Sequence, residues 1–228
     1  MAITQSRFPK FLPPRPLVLF DLDGTLIDSE IGITRSIEHA LRALDVEPPS
    51  REVLRGWIGP PLRTSFPSVL GVNAARIELA VDHYLERFRE VGWREHTVYP
   101  GIPELIALLA ARGDRIAVVT SKIEEHARRI VDNLPFGHHF SAVFGPGHGE
   151  DINGKADLVA RALGDLGGDV ADTSMVGDRC FDIEGARTNG VRSIGVLWGF
   201  GTVEELLGAG ADHVVANVAA LEACLARQ

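Results

Sequence analysis

At 228 residues, with 45% apolar and 24% charged side chains, the chain has the size and balance of one large globular domain or a domain with an insert. A formal net charge of −8 leaves no basic surplus for a phosphate backbone, which excludes a general nucleic-acid binder but not a small phosphorylated ligand held by a local cation. No apolar run reaches the length of a membrane-spanning helix, and Cys180 and Cys224 give neither metal spacing nor a disulfide framework, so reduced thiols in a cytoplasmic protein are expected.

In chain order, residues 1–16 hold Pro9, Pro13, Pro14 and Pro16 without the continuous apolar core of a signal peptide, and are expected to form a flexible tail. The run Leu17-Val18-Leu19-Phe20 predicts a buried strand, and Asp21 and Asp23 stand at its exit in Asp21-Leu22-Asp23-Gly24-Thr25. Packing does not explain two carboxylates there, because ionised carboxylates at the edge of a core are costly unless a metal or cation neutralises them. Gly24 and Thr25 suit a tight loop whose backbone N–H groups could hold phosphate oxygens.

Residues 30–96 read as helices alone, over 31–44, 51–57, 62–69 and 74–91, with breaks at Pro48-Pro49 and Gly71. So long an interval cannot be a loop in a compact domain, and is expected to be a separate helical unit inserted into a sheet domain. Beyond it, strands are expected over 115–119, 142–144, 174–176, 193–196 and 213–215. Helices over 102–111, 123–133, 156–166, 183–189, 203–207 and 219–226 separate or follow them. This alternation implies an α/β fold, a mainly parallel sheet with helices on both faces and its ligand crevice at the carboxyl ends of the strands. The expected plan is a tail over 1–16, a sheet core over 17–29 and 97–228, and a helical insert over 30–96.

Further polar groups fall at strand ends. Thr120-Ser121-Lys122 follows the 115–119 run, Lys155 follows Asn153-Gly154, and Asp178 follows Ser174-Met175-Val176-Gly177 with Asp182 four residues on. Each has a plainer reading when taken singly. Thr120, Asp178 and Asp182 suit helix caps, and a lone Lys155 suits solvent, although a cation is disfavoured at the positive end of a helix. His138, His139 and His148 are spaced poorly for zinc, and Trp57, Trp93 and Trp198 read as packing, with Trp198 able to line a pocket.

Together these residues resemble the haloacid dehalogenase superfamily, in its branch of magnesium-dependent phosphatases, from Leu17 onward. Within it the chain is similar to the phosphoglycolate phosphatase-like group. Four segments resemble members that are 5′-nucleotidases: Phe20-Asp21-Leu22-Asp23-Gly24-Thr25-Leu26, Trp57-Ile58-Gly59-Pro60-Pro61-Leu62, Val98-Tyr99-Pro100-Gly101-Ile102 and Gly195-Val196-Leu197-Trp198-Gly199-Phe200-Gly201. The resemblance implies a Rossmann-like three-layer α/β/α core and makes the 30–96 insert a helical cap.

A carboxylate can attack phosphorus to form an aspartyl-phosphate, and the resemblance gives that role to Asp21. Asp23 would be the general acid and base; dehalogenases of the superfamily lack this second aspartate, and the related ion-pumping ATPases carry Thr there. Two anions meet in such an attack, and Mg2+ suits the gap through its preference for hard oxygen ligands. Its implied ligands are the carboxylates of Asp21 and Asp178 and the backbone carbonyl of Asp23. Thr120, with the Ser121 N–H, would bind phosphoryl oxygens beside Gly24 and Thr25. Lys155 would neutralise charge on the nucleophile, with Lys122 as the competing lysine, and Asp182 would orient Lys155 or a metal-bound water. Asp28 and Ser29 read as hinge residues, and substrate choice is expected from Gly59, Pro60 and Arg63 of the insert, with Arg55 nearby. The expected substrate is a small phosphorylated metabolite, phosphoglycolate or a nucleoside monophosphate, handled by a monomer or homodimer. The alternatives are a pyrophosphatase, a sugar-phosphate phosphatase or mutase, or a catalytically silent regulatory member.

Overall fold

The computed structural model describes residues 15–148 and 154–226, so the tail expected over 1–16 lies almost wholly outside the described residues. Strand β1 (Leu17–Phe20) is apolar at every position because both of its faces are covered. Leu17 and Leu19 pack with Ala117, Val119 and Met175 on one face, while Val18 and Phe20 pack with Ile116 and Val118 on the other. β1 lies at the centre of a six-stranded sheet with β4 (Arg115–Val119), β5 (Ala142–Phe144), β6 (Thr173–Gly177), β7 (Arg192–Val196) and β8 (His213–Val215). The order is β5-β4-β1-β6-β7-β8 and every pairing is parallel. The chain runs outward from β1 to one edge and then returns to build the other side. The crevice at the carboxyl end of β1 is therefore a topological switch point.

Helices α6 (Ile102–Arg112), α7 (Glu124–Asp132) and α11 (Val218–Leu225) cover the Val18/Phe20 face, and α8 (Lys155–Leu166) with α9 (Cys180–Thr188) covers the opposite one. A short helix, α10 (Val203–Gly208), packs through Leu206 against Ile183 of α9. All six core strands stand where the apolar runs place them, with the expected helices between them.

Between β1 and α6 the chain leaves the sheet. Two-residue strands β2 (Ile27–Asp28) and β3 (Thr97–Val98) pair antiparallel, Ile27 with Val98 and Asp28 with Thr97, and bring the two ends of the insert together. The insert contains α1 (Glu30–Ala43), α2 (Arg51–Arg55), α3 (Leu62–Ser65), α4 (Pro67–Leu70) and α5 (Ala74–Glu90). The helix expected over 62–69 is two helices, because Pro67 lacks the N–H that a continuous helix needs and instead starts α4. α9 starts three residues ahead of expectation, since the Arg179 N–H donates to Asp182 Oδ2 (3.0 Å) and fixes the first turn. Among the described residues no helix is long and apolar enough to cross a membrane.

Candidate active site

The site is built at the carboxyl ends of the central strands. Asp21 leaves β1 with its N–H donating to the Val176 carbonyl of β6 (2.9 Å), which holds it 3% exposed over the sheet edge. Lys155, the first residue of α8, points back across the crevice. Its Nζ lies 2.8 Å from Asp21 Oδ1 and closer still to Asp182 Oδ1. The aligned hydrogen bond goes to Asp182, so Asp21 Oδ1 has an ion-pair neighbour but no aligned donor. Both Asp182 oxygens are engaged, Oδ1 by Lys155 and Oδ2 by the Arg179 N–H.

Asp178 follows β6 and is wholly buried. Thr25 Oγ1 donates to its Oδ1 (3.2 Å) and the Phe200 N–H to its Oδ2 (2.7 Å). The backbone crowds this carboxylate: a Cβ on Gly24, which has φ +87°, would stand 2.3 Å from Asp178 Oδ2, and one on Gly199 2.4 Å.

Burial pushes the Asp21 carboxyl up to about 6 against the pull of Lys155, with Asp182 and Asp23 adding to the rise. Asp178 is pushed well above the carboxylate range by burial and by its neighbours Asp182 and Asp21. Lys155, which burial alone would lower, is held above the usual lysine value by Asp182 and Asp21. Three carboxylates place oxygens within 4.8 Å of one another and one lysine stands among them. That excess of buried negative charge on hard oxygen donors fits a divalent cation. Asp21, Asp178 and Asp182 each offer one oxygen to that cluster.

Above this floor lies a cavity of about 400 Å³. Asp21, Asp23, Thr120, Ser121, Lys122 and Lys155 line its base. The insert supplies the roof: Trp57, Ile58, Gly59, Pro60, Pro61 and Leu62 from the segment around the Gly-Pro-Pro turn, and Val81, Tyr84, Leu85 and Phe88 from α5. Thr120 is 1% exposed, and its Oγ1 accepts the Lys122 N–H (3.3 Å), which leaves its own proton free to donate. Lys122 does not approach Asp21; its Nζ lies 3.0 Å from Asp23 Oδ2.

The structure thus gathers Asp21, Asp23, Thr120, Ser121, Lys155, Asp178 and Asp182 around one point, and it separates the two candidate lysines by partner. It alters three expectations. Gly24 and Thr25 do not line the cavity: their N–H groups donate to the Ile27 and Leu22 carbonyls inside the turn, so they brace Asp178 instead of cradling phosphate. Arg63 stands at the roof, but both ends of its guanidinium fork are taken by Glu78 at 2.7 Å. Trp198 does not line this cavity; its Nε1 donates to the Thr25 carbonyl (3.1 Å). Arg55 is turned toward the Gly199 carbonyl (3.3 Å) and Glu30. Sequence reasoning passed over the roof residues Tyr84 and Phe88 and the wall residue His126, whose only signal was the helical spacing of an apolar face.

A doubly covered parallel sheet with paired aspartates at its switch point and a helical insert over them defines a doubly wound α/β protein with an acidic site in its ligand crevice. Residues 18–196 match the family described as haloacid dehalogenase-like hydrolase, and the chain belongs to that family. A 5′-nucleotidase of Pseudomonas aeruginosa is 42% identical over 210 residues, 92% of this chain and 95% of that protein. A phosphoglycolate phosphatase of Agrobacterium fabrum is 31% identical over 93% of each chain. The crystal structure of a predicted phosphatase from Clostridium acetobutylicum superposes with a TM-score of 0.89 at 35% identity, covering 94% of this chain and 99% of that one.

Proposed function

We propose that the chain is a magnesium-dependent phosphomonoesterase that works through an aspartyl-phosphate on Asp21 and prefers nucleoside 5′-monophosphates. The observation that carries this reading is the cavity: Asp21, Asp23 and Lys155 at its base and an apolar, aromatic roof of Trp57, Ile58, Tyr84 and Phe88. About 400 Å³ is within the range of pockets that enclose drug-sized ligands, and a planar base suits such a roof. The 42% identity to a 5′-nucleotidase points the same way. Phosphoglycolate is the second reading, supported by the Agrobacterium relative. Its carboxylate would have to draw Lys122 away from Asp23, since Arg63 is taken by Glu78.

In this reading the Asp21 carboxylate attacks phosphorus while Asp23 gives a proton to the departing ester oxygen. Asp23 then takes a proton from the water that cleaves the aspartyl-phosphate, which releases phosphate and restores Asp21. Thr120 Oγ1 and the Ser121 N–H face the phosphoryl oxygens, and Lys155, held by Asp182, offsets charge beside Asp21. Asp21, Asp178 and the Asp23 carbonyl would hold Mg2+, which when bound supplies positive charge between nucleophile and phosphate. The insert acts as a cap over the core, excluding water from the base of the cavity. Free Cys180 and Cys224 suit a reducing, cytoplasmic setting.

The test is phosphate release with Mg2+ and with EDTA, across nucleoside monophosphates, phosphoglycolate, sugar phosphates and pyrophosphate. Metal-dependent release, fastest from a nucleoside monophosphate, is expected, and Asp21→Asn should reduce it by about a thousandfold or more with the fold intact. Preference for phosphoglycolate would overturn the substrate assignment. Undiminished activity in the variant would remove Asp21 as nucleophile, and no release from any ester would favour a silent regulatory protein.

A further inference from the structure

The chemistry above employs Lys155 and leaves a second buried lysine without a task. The Lys122 side chain is 8% exposed, and its Nζ lies 3.0 Å from Asp23 Oδ2. The same ammonium stands 4.4 Å from the centroid of the Phe88 ring, which α5 brings down over the cavity. Burying an ammonium is costly; one carboxylate and one aromatic face offset that cost here. Asp23 is held from one side only. Its Oδ2 faces Lys122, while Oδ1 is buried with no hydrogen-bond partner, an unsatisfied state that calls for an explanation at the wall of a cavity. Lys155 is turned the other way, to Asp21 and Asp182. The two lysines therefore divide the site, one beside the nucleophile and one beside the proton donor.

We propose that Lys122 is a positioning residue for leaving-group protonation: its contact with Asp23 Oδ2 fixes the carboxyl group that serves the departing ester oxygen, and Phe88 makes that placement depend on α5. The inference rests on the reading of Asp21 as nucleophile and Asp23 as proton donor. In the first step an Asp21 oxygen forms a bond to phosphorus. The bond from phosphorus to the ester oxygen breaks with its electron pair on oxygen, and the proton on the Asp23 carboxyl moves to that oxygen. Lys122 gives up no proton; its ammonium stays paired with Oδ2 and stabilises the carboxylate that remains. The insert thus contributes, through one aromatic ring, to the geometry of an acid that it does not carry.

Leaving-group basicity separates this role from the others. A weakly basic leaving group departs without much help, whereas a strongly basic one needs the proton. A graded series of substituted phenyl phosphates, compared by kcat/KM, reads the step that forms the aspartyl-phosphate. Lys122→Met keeps an unbranched side chain against Phe88 and removes the charge. Its kcat/KM should fall by about tenfold or more for phenyl phosphate and by less than about threefold for p-nitrophenyl phosphate, steepening the dependence on leaving-group basicity. Phe88→Leu should steepen it in the same sense, by a smaller amount. An equal loss across the series would place Lys122 on the phosphoryl group or in the fold and overturn the proposal, as would no loss at all. Retained p-nitrophenyl phosphate hydrolysis shows that the variant is folded. Should the parent protein hydrolyse neither ester, the phosphatase reading itself fails, an outcome distinct from a parallel loss in the variant.

Discussion

His126 shows how a single side chain at this cavity sets a condition on the whole molecule. It is 3% exposed, its Nε2 has no hydrogen-bond partner, and the rings of Phe88 and His148 stand edge-on to it at 5.6 and 5.8 Å. Burial, aided by the cations Lys122 and Arg89, lowers its pKa from 6.5 to about 4, against a weaker pull from Glu125. Above pH 6.5 neither the folded nor the unfolded chain protonates this ring, so it adds no pH dependence there. Between 6.5 and about 4 the unfolded chain takes the proton and the folded one does not, so stability falls as the pH drops. The slope is at most about 1.4 kcal/mol per pH unit for one group. In His126→Phe the loss of stability between about pH 7 and about pH 5 should shrink by about 2 kcal/mol, read from urea midpoints of both proteins at both pH values. An unchanged loss would mean that the ring already exchanges its proton in the folded state. Asp21 and Asp23 stood out in the sequence because two carboxylates at a strand exit have no packing explanation, whereas Thr120 and Asp178 also suit helix caps and were singled out by the family resemblance. His126 was not, because its environment comes from α5, a distant stretch of chain whose angle over the sheet no local pattern encodes.

At the scale of elements, the join between insert and sheet is made by the start of α9. Arg179 Nε donates to Glu205 Oε1 (2.8 Å), the Cys180 N–H donates to the same oxygen (2.9 Å), and Arg179 Nη1 reaches the Ile58 carbonyl of the insert. Gly59, at φ +108°, lets the turn approach, since a Cβ there would lie 3.1 Å from Arg179 Cγ. α9 also carries Asp182, so the element that anchors Lys155 grips the roof as well. A hydrogen bond from a charged donor contributes about 1.5–3 kcal/mol, so Arg179→Ala should lower stability by about 1–2 kcal/mol once water has replaced part of it. The same variant should raise KM several times more than it lowers kcat, because the roof loosens while Asp21 and Asp23 stay in place. A denaturation midpoint and KM both equal to the parent's would dismiss this grip. The long helices were legible from their period of 3.6 and the core strands from short continuous apolar runs, as expected of a sheet covered on both faces. β2 and β3 were not, since two residues carry no period, and the Arg179–Ile58 contact joins positions 121 residues apart.

For the molecule as a whole, the insert and the sheet share one core. A single cluster of buried side chains runs from Val18 and Phe20 of β1 through Leu22, Leu26 and Ile27 to Ile37 and Leu41 of α1 and Tyr84 and Phe88 of α5. The sequence implied two units, and the chain does leave the sheet and return to it. The apolar face of the insert nonetheless has no separate partner, because it buries its residues in the cluster that also holds one face of the sheet. Cooperativity follows from shared burial more than from connectivity, so the two parts are expected to unfold together. Leu41 is fully buried in α1, and Leu41→Ala should cost about 2–5 kcal/mol through lost transfer energy and the cavity left behind. Native-state hydrogen exchange locates that cost. If the core is one unit, the slowest amides of β1 and β6 lose as much protection as those of α1 and α5, although Leu41 is on the insert. Loss confined to α1 and α5 would make the insert an independent unit that opens over an intact sheet. The cavity lies between these two parts, so a cooperative molecule ties substrate access to motion within the folded state, whereas an independent insert would let local unfolding expose Asp21 to water.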